Sequence, residues 1–161
     1  LLELRGRADR IIDTSDLTVH ELKDLVAKQS AGPGDAQPMT VCLLSFGYKF
    51  GVPFEADLLF DVRFLRNPNF VSELKPLTGE DQRVQAHVFD DPDAVALLDR
   101  LESLLQFLLP CYERERRSYL TIAIGCTGGR HRSVAIALQL RDRLAKTGCA
   151  TTLRHRDIAK S

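Results

Sequence analysis

The residues from Cys126 to Ser133 combine the features that bind phosphate, in the order Cys-Thr-Gly-Gly-Arg-His-Arg-Ser. Two adjacent glycines let backbone N–H groups point inward, and a helix that begins just after them adds the positive end of its dipole. Arg132 carries a fork suited to two phosphate oxygens, while Thr127 and Ser133 add hydroxyl donors. This stretch, the Cys126 loop, therefore predicts an anion site with Cys126 at its floor.

The same spacing is similar to the Cys-x5-Arg-Ser/Thr loop of the cysteine-dependent phosphatases, in which a thiolate attacks phosphorus and an arginine holds the equatorial oxygens. Cys126 and Arg132 would take these roles. The reaction also needs a general acid, and the sequence offers several carboxylates without placing any of them. The candidates are Asp61, Asp81, Asp90 and Asp91. Binding without chemistry and a cysteine phosphatase therefore both remain open.

A buried strand and an amphipathic helix flank this loop. Residues 119–124 form a nearly continuous, partly β-branched apolar run, which is typical of a strand buried on both faces of a parallel sheet. Residues 133–145 carry a broad apolar face at helical spacing, and Gly148 supplies a C-terminal stop. The loop is thereby predicted to join a strand to a helix, the junction at which open α/β sheets bind ligands.

A second helix is predicted over residues 93–109, capped by Asp91. We expect its apolar stripe to lie in the core and to stop at Pro110. The members of this stripe are Val95, Leu97, Leu98, Leu101, Leu104, Leu105 and Leu108. The preceding residues, 71–90, have no strong hydrophobic period and predict a loop with short turns of helix.

Further strands are predicted at 40–44, 58–65 and 150–154. In the strand at 58–65, Asp61 and Arg63 would share one side of the pleat and could either pair with each other or contact a ligand. Strands that alternate with helices indicate an α/β fold with a mostly parallel sheet and flanking helices. Its sites should lie at the carboxyl ends of the strands.

Composition narrows the class of partner. The 161 residues carry no net charge, so an RNA site would have to be a local patch. The four cysteines are scattered and form no CxxC pair, which favours reduced thiols in a cytoplasmic protein. The sequence has no spacing typical of metal ligands. It also shows no signal peptide and no apolar run long enough to span a membrane. Metal and membrane contacts are therefore not expected.

Residues 1–29 predict an element cut from another domain. A short strand and a helix there would bury little surface alone. Residues 30–39, rich in glycine and proline, predict a linker before a domain at 40–161. The chain also opens without methionine, and we expect it to be part of a longer protein.

Several separated motifs resemble the C-terminal domain of the bacterial RapZ/YvcJ family of P-loop nucleotide-binding proteins, and the resemblance covers most of residues 40–156. Residues 1–29 resemble the end of that family's N-terminal kinase-like domain. The motifs are Ser45-Phe46-Gly47-Tyr48-Lys49, Asp61-Val62-Arg63-Phe64-Leu65, Asn67-Pro68, Leu77-Thr78-Gly79, Ser118-Tyr119-Leu120 and the run from Ile124 to Val134. No Gly-x4-Gly-Lys-Ser/Thr loop occurs in the chain. The resemblance therefore implies that ATP or GTP binds only outside this chain, and that residues 40–161 bind no cofactor.

The resemblance also implies a fold like a phosphofructokinase subdomain and a regulatory, non-enzymatic role. A phosphorylated amino sugar such as glucosamine-6-phosphate, or a related metabolite, would bind at Arg63 and the Cys126 loop. The resemblance implies that the ligand is held by Arg63, Thr127, Gly128 and Arg132. The other candidates belong to the same loop and are Cys126, Gly129, Arg130, His131 and Ser133.

Family members also bind a small RNA and a ribonuclease, and their subunits associate through these domains. The resemblance therefore implies these partners and a homo-oligomer for this chain. Candidate RNA contacts are the basic residues Lys49, Arg130, Arg154, His155 and Arg156.

Overall fold

The computed structural model describes residues 39–160 together with Thr14, Leu22 and Leu25. The chain divides into two compact units, Leu1–Gln37 and Pro38–Ser161, and all elements given below belong to the second. Apart from those three residues and Met39, the predicted domain remnant at 1–29 and the linker at 30–39 lie outside the described residues. Both therefore stay predictions.

Four parallel strands form one sheet. They are β1 (Thr40–Gly47), β2 (Leu58–Asp61), β3 (Tyr119–Cys126) and β4 (Ala150–His155), in the spatial order β2-β3-β1-β4. The central strands β1 and β3 are almost wholly buried, as their continuous apolar runs predict. The α/β class and the parallel sheet are confirmed.

Three helices pack on one face of this sheet. They are α1 (Gln82–Phe89), α2 (Pro92–Arg114) and α3 (Arg132–Lys146). Alternate residues of the central strands, such as Val41 and Ile122, form one core with apolar residues of all three helices. Among the described residues, none of these helices has the length and apolar character needed to cross a membrane.

The prediction of a loop with short turns of helix over 71–90 is wrong for residues 82–89, because the two-turn helix α1 lies there. The side chain of Asp81 caps α1 by accepting a hydrogen bond from the N–H of Arg83 at 2.9 Å. Val84 and Val88, four residues apart, are the buried residues of α1. Two apolar positions are too few to give a visible period in the sequence.

The predicted end of α2 at Pro110 is also wrong, because the helix continues to Arg114. Pro110 and Gln106 lie on the exposed face, where water can reach the Gln106 carbonyl that loses its backbone donor. Leu109 remains buried beside it. The apolar stripe is narrower than predicted, since Val95 and Leu104 are 41% and 40% exposed.

Strand β2 stops at Asp61, four residues before the predicted end. The chain turns there, and the N–H of Leu65 donates to the carbonyl of Val62 at 3.3 Å. Short 3-10 turns, Tyr48–Phe50 and Pro68–Phe70, occur after β1 and after this turn. These turns place further side chains at the carboxyl edge of the sheet.

Candidate anion-binding site

The Cys126 loop begins directly beside the end of β1. Cys126 is the register partner of Gly47, and the N–H of Lys49 donates to the carbonyl of Thr127 at 3.0 Å. On the other side of the loop, the N–H of Gly79 donates to the carbonyl of Arg130 at 2.9 Å. Segments that are distant in sequence thus hold the loop by its carbonyl groups.

Two glycines allow this close approach. A Cβ atom on Gly129 would lie 2.6 Å from the backbone N of Gly47, and Gly129 has a φ of +72°. A Cβ atom on Gly47 would in turn lie 2.5 Å from the backbone carbon of Gly128. Because both neighbours are backbone atoms, any side chain at Gly47 or Gly129 would push the loop away from β1.

The loop leaves its N–H groups free. Among residues 39–160, no group accepts a hydrogen bond from the backbone N–H groups of 128–134. These groups span the two glycines and the first turn of α3, and the helix has no side-chain cap at His131. Consecutive free N–H groups at a helix N-terminus bind an anion, because each donates a hydrogen bond and the helix dipole adds positive potential.

Arg132 lies inside the fold and links the loop to the turn after β2. Its side chain is 4% exposed, and Nη1 donates to the carbonyls of Arg63 and Leu65, the latter at 3.0 Å. Nη2 donates to Oγ1 of Thr127 at 3.2 Å, whereas Nε has no partner. Burial lowers the pKa of this guanidinium. Two of the three guanidinium nitrogens that the sequence predicts to bind phosphate thus donate to protein oxygens.

Cys126 and Ser133 form a contact at the floor of the loop. The Sγ and Oγ atoms are 3.1 Å apart, and both residues are buried. Cys126 nevertheless reaches the surface of a cavity that the loop encloses. The thiol therefore lies at the wall of this cavity, where the sequence predicts an anion site.

This cavity has a volume of about 260 Å³. Its cationic lining comes from lysine and arginine side chains, and no carboxylate of the described residues lines it. The lining residues are Lys49, Phe50, Asn67, Asn69, Cys126, Thr127, Gly128, Arg130, His131, Arg132 and Lys160. The charge of the lining favours an anionic ligand.

Sequence reasoning missed Phe50, Asn67, Asn69 and Lys160. The Asn67 side chain accepts from the N–H of Asn69 at 3.2 Å and so shapes the turn that carries both amides to the cavity. An Asn-Pro-Asn sequence is typical of a turn, but it does not indicate that the two amides reach a cavity. Lys160 follows β4 at the end of the chain and had no local signal.

His131 lines the cavity and carries a buried ring nitrogen without a partner. The residue is 8% exposed, and its Nε2 atom has no hydrogen-bond partner. Burial lowers the pKa of this imidazole from its usual value near 6.5. The ring is therefore neutral at neutral pH and can donate or accept one further hydrogen bond at Nε2.

This burial predicts an acid-sensitive fold. Since the folded state disfavours the protonated ring, the unfolded chain binds more protons as the pH falls below about 6.5. We expect the free energy of unfolding to fall between pH 7 and pH 5, by at most about 1.4 kcal/mol per pH unit from His131. Urea unfolding at several pH values measures it. The pKa of His155 is lowered by burial in the same direction, so His131→Asn should reduce the slope without removing it. A wild-type stability that does not change with pH would contradict this prediction.

Arg63 is paired with Asp61, one of the two outcomes the sequence left open. Its Nε donates to Oδ2 of Asp61 at 2.9 Å, and its guanidinium carbon lies 4.0 Å from the centroid of the Tyr48 ring. Arg63 does not line the cavity described above. The structure thus brings the Cys126 loop and Lys49 together but places the Arg63 guanidinium on Asp61 and Tyr48.

Three of the other basic candidates contact protein groups. Arg130 donates to the carbonyls of Pro76 and Leu77, at 2.6 and 3.0 Å. His155 Nδ1 lies 2.7 Å from Oγ of Ser45. Arg156 donates to the carbonyl of Gly51 at 2.7 Å and to the adjacent Asp157. Arg154 is exposed on β4.

The fold and the site define an α/β domain with a cationic cavity at a strand-to-helix loop. The model of the RapZ C-terminal domain family matches residues 39–159, which is most of the chain. The chain therefore belongs to this family, as the motifs of the sequence predict.

Its relatives are bacterial proteins named nucleotide-binding protein. One from Geobacter metallireducens is 52% identical over 98% of this chain and 55% of its own length. One from Anaeromyxobacter dehalogenans is 55% identical over 99% of this chain and 54% of its length. A Streptomyces griseus relative is 49% identical over 99% of this chain and 48% of its length. The chain thus spans about half the length of the curated relatives it matches.

Proposed function

We propose that residues 39–160 form a regulatory module that binds a phosphorylated amino sugar, of the glucosamine-6-phosphate class, or a related phosphate-bearing metabolite. The observation that carries this proposal is the row of free N–H groups from 128 to 134. The unpartnered nitrogens of His131 and Arg132 lie at the same loop, and both residues line the cavity. Buried polar atoms without partners are costly, and here two of them belong to residues that line the same cavity.

The size of the cavity supports a small ligand. A volume of about 260 Å³ lies just below the range of roughly 300–1,000 Å³ that holds drug-sized molecules. A monosaccharide phosphate fits this size better than a nucleotide does. Asn67 and Asn69 offer amide groups for sugar hydroxyls, and Phe50 offers an apolar face.

The same geometry supports binding without turnover. In the phosphatase mechanism the arginine must be free for the phosphoryl oxygens, but Arg132 donates to the carbonyls of Arg63 and Leu65. The candidate acids also fit poorly. The hydrogen bond from Arg63 lowers the pKa of Asp61, and Arg83 lowers the pKa of Asp81 to about 2. A general acid needs the opposite shift.

The remaining two acids are also engaged away from the cavity. Asp90 pairs with Arg66 at 2.7 Å, and Asp91 accepts from the N–H groups of Arg66 and Asp93. We therefore assign Cys126 to the wall of the binding site and propose no covalent step.

The test is calorimetric titration of the chain with glucosamine-6-phosphate, with glucosamine and inorganic phosphate as controls, and with an assay for released phosphate. We expect saturable binding of glucosamine-6-phosphate, weaker binding of phosphate, no binding of glucosamine and no release. Steady phosphate release that Cys126→Ser abolishes would instead establish the phosphatase.

Lys49 should contribute to the affinity. The ammonium is exposed at the cavity and has no carboxylate partner among the described residues. We expect Lys49→Gln to weaken glucosamine-6-phosphate binding about three- to tenfold without changing stability, because one charge-assisted contact is lost. The matched control is Lys146→Gln, which removes an exposed lysine at the far end of α3. Equal affinities of the two variants would argue against this cavity as the site.

RNA binding has weaker support here. Among the five predicted contacts, Arg130, His155 and Arg156 bind protein groups, while Lys49 and Arg154 are exposed. The RNA, a ribonuclease partner, a homo-oligomer, a cytoplasmic location and a nucleotide on the remaining part of a longer protein are proposals that follow from the family resemblance alone.

A further inference from the structure

The segment after β4 runs along the Cys126 loop and ends at the cavity. Its anchor is Asp157, a carboxylate with no exposed surface. The Oδ2 atom accepts from the N–H of Gly47 at 2.8 Å and from Arg156 at 2.7 Å, and Oδ1 lies 2.8 Å from Nζ of Lys160. One buried side chain thus contacts the end of β1 and two cations of its own segment.

Asp157 also lies against the loop itself. A Cβ atom on Gly129 would be 2.9 Å from Cβ of Asp157. Burial alone would raise the pKa of this carboxyl, but the hydrogen bonds from Arg156 and the N–H of Gly47, together with the ion pair with Lys160, outweigh it, so the pKa is lowered. The carboxylate is therefore ionised and keeps its partners at neutral pH.

Lys160 connects Asp157 to the cavity, because it pairs with Asp157 and lines the cavity. Its ammonium lies 5.0 Å from the centroid of the Phe50 ring, and the Lys49 ammonium lies 5.4 Å from the same centroid. Both lysines line the cavity, whereas Asp157 does not. The Lys160 side chain is 52% exposed, so the ion pair with Asp157 is its main restraint among the described residues.

We propose that Asp157 is a positioning residue of the anion site, which fixes Lys160 at the mouth of the cavity and supports Gly47 and Gly129 beneath the loop. This inference rests on the proposed function. Asp157 does not touch the ligand. Its negative charge would by itself repel an anion, and the restraint on Lys160 and the loop outweighs that repulsion.

The test compares Asp157→Asn, Lys160→Gln and the double variant of the whole chain, titrated with inorganic phosphate and with glucosamine-6-phosphate. We expect each single variant to weaken binding about five- to tenfold. The double variant should bind no worse than Asp157→Asn alone, because the two residues act as one unit. Asp142→Asn, which removes an exposed carboxylate from α3, is the matched control and should bind as the wild type does.

Other outcomes overturn the proposal. Tighter binding by Asp157→Asn would mean that the carboxylate acts only as a repelling charge. Losses that multiply in the double variant would mean a general structural role. If Asp157→Asn fails to fold, the affinity of Lys160→Gln decides the question. Wild-type affinity in Lys160→Gln would mean that Lys160 does not contribute to binding, so Asp157 could not act by positioning it. Wild-type protein that binds neither probe would defeat the proposed function itself.

Discussion

Gly129→Ala should destabilise the domain by about 3 kcal/mol and abolish phosphate binding. The φ of +72° costs an alanine roughly 1–2 kcal/mol. The new methyl group would also meet the backbone N of Gly47 at 2.6 Å and the backbone carbon of Phe46 at 2.8 Å. Neither atom can rotate away, so the loop must separate from β1.

The neighbouring glycine supplies a matched control. A Cβ atom on Gly128 would have no atom within 4 Å, and its φ is not in the left-handed region. We expect Gly128→Ala to change the free energy of unfolding by less than about 0.5 kcal/mol. Urea unfolding of both variants measures the difference. Equal stabilities would contradict the close contact between the Cys126 loop and β1.

Arg132→Met should cost about 3 kcal/mol of stability as well as ligand affinity. The methionine fills a similar volume but leaves the carbonyls of Arg63 and Leu65 and the hydroxyl of Thr127 without their donor. A buried acceptor that loses its partner costs roughly 1–3 kcal/mol. The loss in free energy of unfolding should thus exceed the loss caused by replacing an exposed arginine.

Arg66→Met is the matched control, because Arg66 pairs with an exposed carboxylate and its side chain is 52% exposed. We expect a loss below about 1 kcal/mol there. If Arg132→Met keeps wild-type stability and loses only affinity, the guanidinium serves the ligand alone. That result would mean that the Arg132 guanidinium binds phosphate, as the sequence predicts, and that its hydrogen bonds to the carbonyls of Arg63 and Leu65 do not stabilise the fold.

The strand, loop and helix around Cys126 could be predicted because each has a strong local signal. The apolar run 119–124 and the helical period over 133–145 specify buried elements, and the two glycines with hydroxyl and basic residues specify an anion loop. Helix α1 could not be predicted, because only Val84 and Val88 are buried in it and two positions do not define a hydrophobic period. Short elements lack the repeats on which a period depends.

Long-range contacts could not be predicted from local patterns. Arg132 donates to the carbonyl of Leu65, and the partner of Asp157 is the N–H of Gly47. Nothing in the sequence near Arg132 indicates that its guanidinium donates hydrogen bonds to carbonyls of the turn after β2. The same holds for Lys160, which reaches the cavity only because β4 pairs with β1.

The most direct test of the central claim is a ¹H–¹⁵N NMR titration of the chain with glucosamine-6-phosphate. The proposed phosphate ligands are among the free N–H groups of 128–134, in the part of the loop that lines the cavity. We expect saturable changes in amide chemical shift that are largest for these residues and absent with glucosamine. Unchanged amide signals for 128–134 in the presence of a ligand that binds elsewhere would contradict it.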